Sequence, residues 1–145
     1  MKITVFTKSL GDKEALKPVM ESLASQTFDP LEFEWLAEPE FSIEKAKGQL
    51  IVYLGEYTKA NTSGLLKFWQ AYEKEPEVFW TAPLAKTKDW KNLDWDFRAY
   101  EGVVDVKFGD WETEWSAAPK ELLKKDLKDC KFKNLYDNPA IKLLI

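Results

Sequence analysis

The feature that most constrains the fold is a run of consecutive apolar residues, Leu50-Ile51-Val52-Tyr53-Leu54, closed by Gly48 and Gly55. A strand that is apolar at every position has no solvent face, so it must lie inside a sheet covered on both sides. The flanking sequence provides the rest of such a sheet. Ile3 to Thr7 is a β-branched and aromatic run stopped by Ser9-Leu10-Gly11-Asp12, a turn that can also cap a helix. Ala15, Val19 and Leu23 then recur at helical spacing, with Pro18 expected to kink or delay the first turns. Leu31, Phe33 and Trp35 alternate with Glu32 and Glu34, the period of a half-exposed strand with an acidic outer side.

After the polar turn Ala37 to Phe41, a short helical piece is expected over Ser42 to Lys47. Beyond the apolar run, Thr58 to Gly64 reads as a small-residue loop, and Leu65, Phe68, Trp69 and Tyr72 mark one face of a helix stopped at Pro76. Val78-Phe79-Trp80 is a further buried strand. Strand and helix thus alternate through residue 83, which predicts one three-layer α/β domain over residues 1–145. Its sheet is expected to be flavodoxin-like, mostly parallel and of about five strands, with Leu50 to Leu54 central. Val103 to Phe108 reads as a fifth strand. A final helix over Pro119 to Lys131 would turn Leu123, Leu127 and Cys130 inward and Lys120, Lys124, Lys128 and Lys131 outward.

Composition narrows the chemistry. The chain of 145 residues has no histidine, which removes the commonest general base and metal ligand, so catalysis would fall to carboxylates, hydroxyls or lysines. The single cysteine, Cys130, permits no intrachain disulfide or thiolate metal cage and reads as a small core residue. A net charge of −4 argues against a nucleic-acid partner. No apolar run approaches a membrane span, and the first residues read as a strand rather than a signal peptide, so a cytoplasmic location is expected.

Two short motifs carry candidate chemistry. Thr7-Lys8-Ser9-Leu10-Gly11-Asp12 falls at the carboxyl end of the first strand, where α/β sheets bind ligands, and its amides, Ser9 hydroxyl and Lys8 ammonium can hold a phosphate. Its glycine pattern is neither a P-loop nor a dinucleotide fingerprint. Asp12 reads first as a helix cap. Trp69 and Glu73, four residues apart, share a helix face and set a carboxylate beside apolar neighbours.

With these motifs in this order, residues 1 to about 85 resemble the Toll/interleukin-receptor (TIR) domains, whose first strand ends in Ser-Tyr-Ser-x-x-Asp and whose later helix carries Trp-x-x-x-Glu. The resemblance implies that Glu73 is the catalytic residue of an NAD glycohydrolase. Phe6, Thr7, Lys8, Ser9 and Trp69 would bind NAD as substrate, with no separate cofactor and no metal. Expulsion of nicotinamide needs no general acid, because oxidised NAD already carries a cationic leaving group. One carboxylate stabilising the oxocarbenium-like ribose then suffices. A nucleoside deoxyribosyltransferase-like domain is a related possibility. Lys8 departs from the family aromatic, Lys67 from its serine, and the acidic turn Ala37 to Phe41 would repel a dinucleotide. The alternative is a non-enzymatic interaction domain, an adaptor or small inhibitor, that meets a protein partner or itself through Trp90, Trp95, Trp111 and Trp115, with Lys124 and Lys128 adding charge.

Overall fold

The computed structural model describes residues 1–60, 62–81, 85–86, 115–124 and 131–134. Its elements in chain order are β1 (Ile3–Lys8), α1 (Lys13–Ala24), β2 (Phe33–Glu38), β3 (Leu50–Leu54), β4 (Thr58–Lys59), α2 (Gly64–Lys74), β5 (Val78–Thr81), β6 (Ala85–Lys86), β7 (Trp115–Pro119) and β8 (Lys131–Asn134). Six strands form one sheet in the order β2-β1-β3-β7-β5-β8, and β4 and β6 form a small antiparallel pair beside it.

The run Leu50–Leu54 is buried at every residue and sits between β1 and β7, as its composition requires. The sheet is mixed: five of its six strands run one way and β7 runs the other. β1 pairs in parallel with β2 and β3, and β5 with β8, while β7 runs antiparallel to both β3 and β5. The reversal follows from where the chain re-enters: β5 ends at the carboxyl edge of the sheet, and Trp115, the first residue of β7, pairs with Leu54 at that same edge. Entry from that edge can only run backwards.

Alternation along the strands sorts the core into two faces. Ile3, Val5, Leu50, Val52, Leu54, Val78, Trp80 and Ala117 pack against Val19 and Leu23 of α1 and Leu65, Phe68, Trp69 and Ala71 of α2. Phe6, Ile51, Tyr53, Phe79 and Ala118 face the other way. Both described helices therefore lie on one face. The opposite face is covered by Phe41 and Ala46 of the β2–β3 crossover and by Leu122 and Leu123.

Pro18 does not delay α1. The helix starts at Lys13, where the Asp12 carboxylate accepts from the N–H groups of Glu14 and Ala15, and continues through the proline. Strand β2 begins two residues later than the alternation suggests, after a 3-10 turn over Pro30–Glu32 capped by Asp29, and runs on through Ala37 and Glu38. Its Glu34 is not a solvent carboxylate. It accepts from the Thr4 hydroxyl (2.7 Å) and the Lys47 amide (2.8 Å), and Thr4 Oγ1 in turn accepts from the Gly48 amide (2.8 Å).

That network lays the crossover across β1 so closely that a Cβ on Gly48 would stand 2.3 Å from the Thr4 nitrogen. With its amides used in this way, the expected helix over Ser42 to Lys47 is only a turn. The expected helix over Pro119 to Lys131 is corrected as well. Pro119 ends β7, Leu122–Lys124 is a single 3-10 turn and Lys131 opens β8. The strand expected at Val103 to Phe108, together with Trp90, Trp95, Trp111, Leu127, Lys128 and Cys130, lies outside the described residues. No helix among the described residues is long and apolar enough to cross a membrane.

Candidate functional site

From β1 the chain crosses to β2 on one side, then returns past β1 to β3 on the other. The carboxyl ends of these two neighbouring strands are where an open α/β sheet places a ligand crevice. Here the two walls are the β1–α1 loop, Ser9 to Asp12, and the β3–β4 loop, Gly55 to Tyr57.

The loops are stitched together rather than splayed. Ser9 is buried. Its amide donates to the Glu38 carbonyl (3.0 Å), its hydroxyl donates to Glu56 Oε2 across the crevice (3.3 Å), and its oxygen accepts from the Gly11 amide (3.0 Å). This tight return needs Gly11, whose φ of +96° a side chain would oppose. On the facing wall, Tyr57 holds a left-handed φ of 59°. Its amide donates to the Ala15 carbonyl in the first turn of α1 (2.9 Å), and its hydroxyl donates to Asp12 Oδ2 (3.4 Å). A non-glycine residue in that conformation is retained only where its surroundings over-determine it.

The electrostatics of the crevice are negative. The Asp12 carboxylate beside the Tyr57 hydroxyl is the main reason that this phenol is held above its ordinary range, with partial desolvation, Glu14, the Asp12 hydrogen bond and Glu56 acting in the same direction. Glu38 stands at the rim with Lys45 Nζ at 3.4 Å, and Lys8 projects from the end of β1. The arrangement offers carboxylate acceptors to hydroxyl and N–H donors, an exposed ammonium on Lys8 for an anionic group, and a phenol ring at the mouth. Among the described residues no group of three or more Asp, Glu, Cys or His is placed to hold a metal ion.

The residues singled out from sequence divide between the two ends of the sheet. Thr7, Lys8 and Ser9 do belong to the crevice, although the Thr7 side chain is buried and accepts from the Trp35 indole N–H (3.0 Å). Phe6 is buried on the face away from both helices, against Phe41 and Tyr53. Trp69 and Glu73 are elsewhere. Helix α2 runs back along the sheet to the start of β5, so Trp69 packs on Phe28 and Tyr72 with Lys2 Nζ 5.4 Å above its ring, at the amino end of β1.

Seven residue steps of strand separate Lys2 from Ser9, about 23 Å at roughly 3.3 Å per residue. Glu73, one turn further along α2, is exposed rather than desolvated, because it sits beside the buried stripe instead of within it. The structure therefore brings Lys8 and Ser9 together with Glu56 and Tyr57, and not with Trp69 and Glu73. Sequence reasoning overlooked Glu56 and Tyr57. The available signal was their position directly after the fully apolar strand, where the chain must emerge at the ligand-binding edge.

No model of a known protein family matches the sequence, and no curated protein is significantly similar to it. Among the solved structures that share the fold are Staphylococcus aureus TarS residues 1–349 in complex with UDP, at 13% identity, and TarS 1–349, at 12%. Each superimposes with a TM-score of 0.56 over 86% of this chain. The match takes in 48% of the TarS chain, so this protein spans about half its length.

Proposed function

We propose that this domain recognises a uridine nucleotide in the crevice between β1 and β3. The observation that carries the reading is the Ser9–Glu56 contact, which joins the loops that follow β1 and β3, where the strand order changes direction. The likeness in fold to a protein crystallised with UDP supports the choice of ligand class. Ribose hydroxyls and an imide N–H are donors, and Glu56 and Asp12 are the acceptors that such a ligand needs. Ser9, already bonded on both sides, can exchange its Glu56 contact for one to the ligand. Lys8 is a cation available to the diphosphate, and the surrounding carboxylates make that half of the ligand the weaker partner. The reading is one of recognition, with no bond-breaking step assigned to these residues.

Titration calorimetry with uridine, UDP and ADP, each with and without magnesium, tests this assignment. Glu56→Gln and Ser9→Val should each weaken uridine and UDP binding at least tenfold, about 1.4 kcal/mol. Lys8→Ala should weaken UDP and leave uridine unchanged. A folded protein that takes neither ligand at millimolar concentration overturns the proposal. Release of nicotinamide from NAD that is lost in Glu73→Gln would instead favour NAD cleavage at the other end of the sheet.

A further inference from the structure

Strand β2 is the outermost strand at one end of the described sheet, and its backbone is half used. The Glu32 and Glu38 carbonyls accept from the amides of Lys2 and Ser9, so the even-numbered residues direct their peptide groups toward β1. By the same alternation, the N–H and C=O groups of Phe33, Trp35 and Ala37 point outward, and no described residue pairs with them. Edge strands that stay single are normally protected by a lysine, a proline or a bulge. Between Phe33 and Glu38 there is none of these, and the register with β1 is unbroken.

Charge says what fits there. No lysine or arginine occurs between Lys17 and Lys45, a stretch holding Glu21, Asp29, Glu32, Glu34, Glu38, Glu40 and Glu44, of which Glu34 is bonded to Thr4 and Lys47 and Glu38 faces Lys45. The outermost described strand at the opposite end of the sheet is β8, whose sequence Lys131-Phe132-Lys133-Asn134 holds two lysines and no acid. Following the pairings across the sheet, β2 and β8 point in the same direction.

We infer that β2 is a docking edge for β8 of a second copy of this chain, paired in parallel so that the sheet continues from one molecule into the next. A strand with two lysines and no acid then meets one with two glutamates and no lysine, in the same strand sense as the β5–β8 and β1–β2 pairs. Because the two surfaces differ, the contact is head-to-tail and open, and it propagates to chains of molecules rather than closing as a dimer. The two-fold alternative, β2 against β2, is disfavoured by charge. The outward groups fix its centre at Trp35, which sets Glu38 of one molecule opposite Glu32 of the other.

Sedimentation velocity over a range of protein and salt concentrations tests this. The expected result is growth beyond the monomer at high protein and low salt, reversed by salt. Ala37→Pro removes an outward amide and no β1 hydrogen bond, so it should abolish association with the melting temperature nearly unchanged. Glu38→Lys and Lys133→Glu should each weaken association at least tenfold, and an equimolar mixture of the two variants should recover it, because every contact in the mixture can again pair opposite charges. A monomer under all conditions, association untouched by Ala37→Pro, or association untouched by Lys133→Glu overturns the inference; the last result would assign the contact to β2 against β2.

Discussion

Gly48→Ala should be among the most damaging single-methyl additions in this protein. The added carbon would stand 2.3 Å from the Thr4 nitrogen, 2.5 Å from the Ile3 carbonyl carbon and 2.9 Å from Ile3 Cα. All three are backbone atoms of β1, which is held on both sides by β2 and β3 and cannot retreat. The crossover must therefore lift by about 1 Å, which overpacking data put at roughly 1–3 kcal/mol. Lifting also strains the Gly48–Thr4 hydrogen bond and the Lys47–Glu34 hydrogen bond, each 2.8 Å long.

A buried hydrogen bond broken with its partners left dry adds about 1–3 kcal/mol, and the lower chain entropy of unfolded alanine returns about 0.5–1. The net expectation is a loss of about 3 kcal/mol, a large share of a stability that for domains of this size is roughly 5–15. Urea unfolding followed by tryptophan fluorescence reads it as a midpoint lowered by about 1.5–2 M at a slope of roughly 1.5–2 kcal/mol/M. A loss below about 1 kcal/mol would show that the crossover does not lie on the strand as described.

Three further outcomes are expected. Thr4→Val, which keeps the shape but deprives Glu34 of a donor and Gly48 of an acceptor, should cost about 2 kcal/mol in the same unfolding assay, and Glu34→Gln in that background should cost much less than alone. The phenol of Tyr57, read by a difference spectrum against Tyr57→Phe, should titrate above the ordinary tyrosine value, and Asp12→Asn should bring it down, since the Asp12 carboxylate is the largest cause of the rise. Its folded pKa is raised, so the folded state resists ionisation and stability from this group falls as pH rises through the unfolded value near 10. Lys67 is buried in α2, and desolvation lowers its pKa. Between that lowered value and the unfolded 10.5 the unfolded chain binds more protons, so stability relative to Lys67→Met should rise with pH across the window, and a flat difference would refute the desolvation.

What the sequence determined by itself was local. Leu50 to Leu54 had to be an interior strand because it has no polar side, and Asp12 had to begin a helix because its carboxylate meets the first free amides. The pattern Ala15, Val19, Leu23 specified which side of α1 is buried without specifying what it meets. That Lys8 and Ser9 lie at the carboxyl edge was legible for the same reason, since the turn after a first strand always emerges at one edge of the sheet.

Tertiary structure decided everything that depends on the order of the strands. Nothing in Trp115 to Pro119 announces a reversed strand between β3 and β5, because direction is set by where a connection begins and ends and not by the residues of the strand. The same ordering assigned the two motifs to opposite ends of the sheet, since a helix returning from the carboxyl edge carries residues four to nine positions along it, Trp69 and Glu73 among them, to the amino edge. It also joined Ser9 to Glu56, residues 47 positions apart, because parallel neighbours release their following loops at the same height.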